Sequence, residues 1–120
     1  MATHDTACTI VPYFKIHPGK GQDFRKVAEQ CVEQTNKENG CLYYGFTFTE
    51  DQAHCREGYQ DGESLLAHVQ NIGPLLGELL KNGDLTKLEI HGPDKELAKL
   101  RGPLAELKPQ YFTLEYGFRR

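Results

Sequence analysis

The sequence predicts an α+β fold of the ferredoxin-like, split β-α-β kind, in which an antiparallel sheet carries its helices on one face. Three observations predict it. A strand-forming run, Thr9 to Ile16, precedes a segment in which Phe24, Val27, Ala28, Cys31 and Val32 recur at helical spacing. Two more strand-like runs, Cys41 to Thr49 and Ala53 to Gln60, lie so close together that only an antiparallel pairing can join them. A second apolar helix and a return strand, Leu85 to His91, complete the order strand, helix, strand, strand, helix, strand.

Each element has its own local reason. In the first strand Ile10, Pro12, Phe14 and Ile16 share one face, with Val11 and Tyr13 on the other. Pro12 has no N–H to give a ladder, which predicts an edge position or a bulge. His17-Pro18-Gly19-Lys20-Gly21 turns the chain into the first helix, which runs to about Asn36. Asn39-Gly40 is a tight turn whose residues both tolerate positive φ, and the run from Cys41 to Phe48 has the aromatic character that suits a pleated sheet. A short turn around Glu50-Asp51-Gln52 joins the second strand to the third.

Asp61 or Gly62 opens the second helix, with Leu65, His68, Val69 and Ile72 on one face. Gly73-Pro74 is expected to break it, Leu75, Leu76, Leu79 and Leu80 continuing in a second piece that stops at Asn82-Gly83. On the fourth strand Leu88 and Ile90 point inward, while Lys87, Glu89 and His91 point away. Leu97, Leu100, Leu104 and Leu107 form a short helical excursion interrupted at Gly102-Pro103. A fifth strand, Tyr111 to Phe118, follows, with Phe112, Leu114, Tyr116 and Phe118 alternating against Tyr111, Thr113 and Glu115.

The 120 residues contain neither repeats nor a linker, so one domain spanning 1–120 is expected, with a flexible lead over 1–7. A formal net charge of -3 gives no basic field, which argues against nucleic acid and anionic membrane as partners. Arg119 and Arg120 read as a solvated tail. No apolar run approaches the roughly 20 residues that cross a bilayer, and the first residues lack the pattern of a secretory signal, so a cytoplasmic protein is expected. Cys8, Cys31, Cys41 and Cys55 fit no metal or redox spacing and read as reduced, mostly buried thiols. His17 and His91 have no partner at ligand spacing, so no metal is expected, and Gly19-Lys20-Gly21 lacks the spacing of a phosphate-binding loop.

With the helices on one face, the other face of the sheet exposes Val11, Tyr13, Tyr43 and Tyr111. An apolar face of that size marks an interface, and a homodimer packing sheet on sheet is its simplest cover.

The motifs Phe14-Lys15-Ile16-His17-Pro18-Gly19-Lys20, Asn39-Gly40-Cys41-Leu42-Tyr43-Tyr44, Glu57-Gly58-Tyr59-Gln60-Asp61 and Glu63-Ser64-Leu65 with His68 resemble the antibiotic biosynthesis monooxygenase domain family. The likeness covers about residues 8 to 80. It implies a dimeric α/β barrel and a small-molecule enzyme: a cofactor-independent monooxygenase on a phenolic, quinol or polyketide-like compound, or an isomerase on the same scaffold. A third reading is a non-catalytic dimer that binds a small ligand or serves as an interaction module. Two departures stand out: Tyr59 where the family often has Trp, and a family-atypical extension over 83–110 with a short helix of its own. The haem-degrading branch of the same superfamily uses an Asn, Trp and His triad, and here the corresponding positions hold the Pro12 to Phe14 region, His68 and Glu78. Haem is therefore not expected, nor is any other cofactor.

A small aromatic or quinone-like ligand held between the second helix and the sheet needs an apolar pocket, a proton acceptor and fixed orientation. His68 is the catalytic candidate, because its ordinary pKa near ~6.5 suits proton transfer at neutral pH. It reads equally as a core histidine bonded to a backbone carbonyl or to Glu57. Tyr59, Tyr44, Asn71 and Glu57 are the candidate substrate-binding residues, each with a plainer reading: Tyr59 and Tyr44 as packing, Asn71 as a cap, Glu57 as the group that orients the histidine. Arg56, on the opposite side of the strand from Glu57, suits a salt bridge across a dimer. A cavity of ligand size, roughly 300 Å³ or more, beside His68 and Tyr59 separates the enzymatic readings from the binding module.

Overall fold

The first strand, β1 (Cys8–Ile16), lies inside the sheet, in a computed structural model that describes residues 3–120. After it come α1 (Gly21–Thr35), β2 (Cys41–Thr49), β3 (Gln52–Tyr59), α2 (Gly62–Leu80), β4 (Gly83–Gly92), α3 (Asp94–Leu100), a single 3-10 turn at Ala105–Leu107, and β5 (Gln110–Thr113). The sheet order is β2-β3-β1-β4-β5. β1, β2, β3 and β4 pair antiparallel, the ferredoxin-like arrangement, and β5 adds itself parallel to β4.

Pro12 therefore does not mark an edge, but the expected irregularity is present. The β1–β3 register pairs Thr9 with Gly58 and resumes at Tyr13 with His54, and the β1–β4 register shifts between Tyr13 and Phe14. The missing N–H of Pro12 falls inside that interruption. Thr86 donates from its hydroxyl to the Tyr13 carbonyl at 3.2 Å and steadies the bulge.

Other boundaries move for identifiable reasons. Asn39-Gly40 does turn the chain, yet neither residue has positive φ. Gly40 is instead required by proximity, since a Cβ there overlaps the Ser64 hydroxyl at the start of α2. Pro74 lies within one continuous α2 rather than between two pieces. The helix loses one backbone bond there, while Ile72, Leu75, Leu76 and Leu79 pack into the same core on either side of it. Val32, expected on the packed side of α1, is exposed, as is Leu80, and Glu89, expected to point away, is buried beside Lys87 and His91.

The ending differs most. β5 has four residues, and Leu114, Tyr116 and Phe118 lie beyond it on exposed, irregular chain. Its faces are also reversed from the expectation: Tyr111 packs against the buried cluster, and Phe112 stacks on His91. The register against β4 explains the reversal: Tyr111 lies opposite the buried Ile90 and Phe112 opposite His91, and a one-residue change of register exchanges the two faces of a strand.

α3 and the turn after it belong to the core of their own chain. Leu97, Leu100 and Leu104 are buried with Cys8, Ile10, Tyr59, Leu65 and Ile90. Each such leucine contributes ~1.5–3 kcal/mol by leaving water. Glu96 accepts from the Gly62 N–H at 2.9 Å, so α3 ties down the first turn of α2, where Asp61 also accepts from the Ser64 N–H at 2.8 Å. Of the lead over 1–7, Met1 and Ala2 lie outside the described residues, while the Thr6 hydroxyl donates to the Gln60 carbonyl at 2.7 Å and Asp5 pairs with Arg119. Among the described residues no helix is long and apolar enough to cross a membrane.

Candidate functional site

Strand alternation on β3 points Ala53, Cys55, Glu57 and Tyr59 toward the helices, all of them buried, and leaves His54 and Arg56 on the open side. There Arg56 stacks over the Tyr43 ring at 4.8 Å. Helical spacing on α2 sets His68 between Leu65 and Ile72 on the buried face. The two patterns meet at one point. His68 Nε2 lies 3.1 Å from Glu57 Oε1, and the Tyr59 hydroxyl donates to that same oxygen at 2.6 Å.

The other nitrogen of His68 has an anionic partner too. Nδ1 lies 2.9 Å from Glu38 Oε2, and Asn71 donates from Nδ2 to that oxygen at 2.7 Å. Asn71 is itself held by Gln34, whose Nε2 donates to Asn71 Oδ1 at 2.6 Å. The result is a chain of four side chains, Tyr59, Glu57, His68 and Glu38, running from inside the sheet to the turn between α1 and β2. A neutral imidazole has one N–H to offer; with a carboxylate at each nitrogen, the imidazolium satisfies both. Burial disfavours that charge, but Glu57 and Glu38 outweigh it and raise the His68 pKa above the ordinary 6.5.

An apolar cavity opens beside this chain. Glu57, His68, Tyr44 and Cys55 form its polar end, and Phe14, Ile72, Leu76 and Leu107 are among its apolar walls. Its volume is about 60 Å³, short of the roughly 300 Å³ set from the sequence as separating the enzymatic readings from a binding module, so on cavity size alone this conformation counts toward the module. Leu107, exposed on the 3-10 turn, lines the cavity together with Leu85 and Leu88, all three from the 83–110 segment. The extension therefore does shape the site from within the same chain.

The sequence candidates sort by position. Glu57, His68 and Tyr44 line the cavity. Tyr59 lies behind Glu57, its ring 4.8 Å from that of His68, rather than on the wall, and burial and the Glu57 charge raise its pKa so that it remains a hydrogen-bond donor. Asn71 is removed from the wall as well and is occupied by Glu38 and Gln34. Burial and its neighbours likewise raise the Tyr44 pKa. The cysteines are poor nucleophiles: burial, with the nearby Glu96 charge, pushes Cys8 up to about 12, and burial pushes Cys31 up to about 11. Glu38 was not among the sequence candidates. It lies thirty residues from His68 in the chain, in a turn with no periodicity, and only the packing of α2 on that turn brings them together.

This is a small α+β protein with an acid–base chain at the polar end of an apolar cavity between sheet and helices. It belongs to the antibiotic biosynthesis monooxygenase family, whose model matches residues 8–72. No curated protein matches it. The crystal structure of MupZ from Pseudomonas fluorescens is 46% identical, covers 97% of this chain and 96% of its own, and superposes with a TM-score of 0.92. A conserved protein from Methanosarcina mazei Go1 is 25% identical over 71% of this chain and 90% of its own, with a TM-score of 0.64. A candidate antibiotic biosynthesis monooxygenase from Caulobacter crescentus CB15, 20% identical over 72% of this chain and 88% of its own at a TM-score of 0.63, shares the fold. Proteins of this family are typically dimeric.

Proposed function

We propose that the protein is a cofactor-independent enzyme of proton transfer, isomerising a small, largely apolar molecule that carries an activating oxygen. The observation that carries this reading is the buried Tyr59–Glu57–His68–Glu38 chain ending at an apolar cavity. Glu57 takes a proton from a carbon next to a carbonyl, and the electron pair moves into the adjoining double bond and oxygen. Glu57, whose proton can exchange with solvent in the meantime, returns a proton to a different carbon, so no electrons are gained or lost. His68, fixed at both nitrogens by Glu57 and Glu38, holds Glu57 as the acceptor, while the apolar walls keep water from the intermediate.

A second reading follows from the family description: a cofactor-independent monooxygenase in which the same base deprotonates a phenol or quinol that then reduces dioxygen. The first reading is preferred because its proton transfer is complete with the groups this site supplies, whereas the second also requires dioxygen as the oxidant. On either reading the chain acts as one domain and pairs with a second copy through the open sheet face, where Leu42, Tyr43 and Phe112 are exposed.

The test uses a panel of unsaturated ketones and of quinols. In deuterated water, mass spectrometry reads deuterium uptake and isomer formation, while an electrode reads oxygen consumption. Isomerisation without oxygen consumption, lost in Glu57→Gln, is the expected result. Oxygen consumption by wild type with quinols, lost in the same variant, establishes the second reading and overturns the first.

A further inference from the structure

The cavity side of His68 is apolar, yet the ring has a second exit. On the far side, a separate groove of about 160 Å³ is lined by Val32, Thr35, Asn36, Glu38, Cys41, Leu42, Tyr43 and Tyr44. Glu38 lies on its wall with 12% of its side chain exposed, against 4% for both His68 and Glu57. Thr35 Oγ1, buried on the same wall, has no protein partner among the described residues and suits a bound water. His68 thus stands between two environments: a largely apolar cavity lined by Glu57, and a more polar groove lined by Glu38.

We infer that Glu38 is the positioning residue of this site, fixing the His68 ring from the turn between α1 and β2 and carrying its Nδ1 proton to and from the solvent groove. The inference rests on the reading that Glu57 handles the substrate proton. When Glu57 takes that proton, one of the two negative charges facing the ring is neutralised. The Nδ1 proton then passes to Glu38, so the His68 and Glu57 pair keeps its net charge. When Glu57 returns the proton to product, Nδ1 recovers its own from Glu38. Asn71 and Gln34 keep the Glu38 carboxylate in line for this exchange. The titratable groups facing His68 are Glu57 and Tyr59 from β3, Tyr44 from β2 and Glu38 from the turn, with Cys55 on the same cavity wall and Cys31 of α1 against Tyr44.

The experiment needs no substrate. The His68 imidazole is titrated by nitrogen-15 NMR in wild type, Glu38→Gln, Glu38→Asp and Asn71→Ala. Glu38→Gln is expected to lower the His68 pKa by ~1 unit or more, a tenfold change in its ionisation constant, with Glu38→Asp restoring part of it and Asn71→Ala moving it less in the same direction. Should Glu38→Gln fail to fold, the Asn71→Ala and Glu38→Asp curves carry the test. Titration curves that superpose on wild type in every folded variant overturn the inference. Failure of the proton-transfer reading appears elsewhere, as deuterium uptake that survives Glu57→Gln, so the two are told apart.

Discussion

Glu57→Gln keeps the shape of the side chain and an acceptor for Tyr59 but removes the charge that faces His68. Both groups are nine-tenths or more buried, so little solvent screens the pair. An opposite charge at this range shifts a pKa by ~1–3 units, and each unit is worth ~1.4 kcal/mol. A middle value of ~2 units gives a loss of about 2.7 kcal/mol where His68 is charged. Burial lowers the histidine pKa and the two carboxylates raise it further, so the folded value lies above the ordinary 6.5. A group raised on folding stabilises fully below its unfolded pKa, and that contribution disappears as pH rises through the folded one. Wild type should therefore exceed the variant most near ~pH 6 and by much less near ~pH 9. Urea unfolding at both values reads this as a midpoint shift of ~1–2 M that shrinks with pH. A loss constant between the two pH values refutes the charge argument and leaves Glu57 as a packing and hydrogen-bonding residue; a loss that grows with pH refutes its sign.

Leu107→Ala should widen the cavity and raise kcat/KM for bulkier members of the substrate panel while changing stability by under ~1 kcal/mol, because the side chain is exposed. Leu97→Ala, at a fully buried position, should cost ~2–5 kcal/mol in urea unfolding and loosen the first turn of α2, read as faster amide exchange at Gly62. Gly40→Ala should destabilise by ~1–3 kcal/mol, and adding Ser64→Gly should recover most of it by removing the overlapping side chain. Tyr43→Asp, on the open sheet face, should convert a wild-type dimer to monomer in sedimentation equilibrium; a monomeric wild type sinks the proposed interface.

The parts of the fold that were legible in the sequence are those where one physical cause acts over a short range. The antiparallel β2–β3 pair followed from a connection too short for a crossover, and the helix stripe around Leu65, His68 and Ile72 from spacing alone. The misplaced features are the ones where distant packing decides. Pro74 signals a break only if nothing holds its two sides together, and the shared core holds them. Tyr111 and Phe112 exchanged faces because the register of β5 is set by β4 across the sheet, which alternation within β5 cannot report.

The site divides along the same line, and the division says what kind of chemistry a sequence can reveal. His68, Glu57 and Tyr44 were legible because each lies on a face that periodicity defines. Their roles were not, since a role depends on which partner arrives from elsewhere. A histidine alone on an apolar helix face is a plausible base; the same histidine between Glu57 and Glu38 has its pKa raised, and the proposed base is the carboxylate beside it. The residue that makes this difference sits in a turn with no pattern to mark it. The extension acts similarly: its leucines announced a helix, but that Glu96 fastens the start of α2 and Leu107 lines the cavity depends on where that helix packs. MupZ matches over 97% of this chain, against 71% and 72% for the other two structures. Within this chain, Leu107 of the extension lines the cavity and Glu96 ties down the first turn of the helix that carries His68, so changes there should alter the cavity and the position of the helix together.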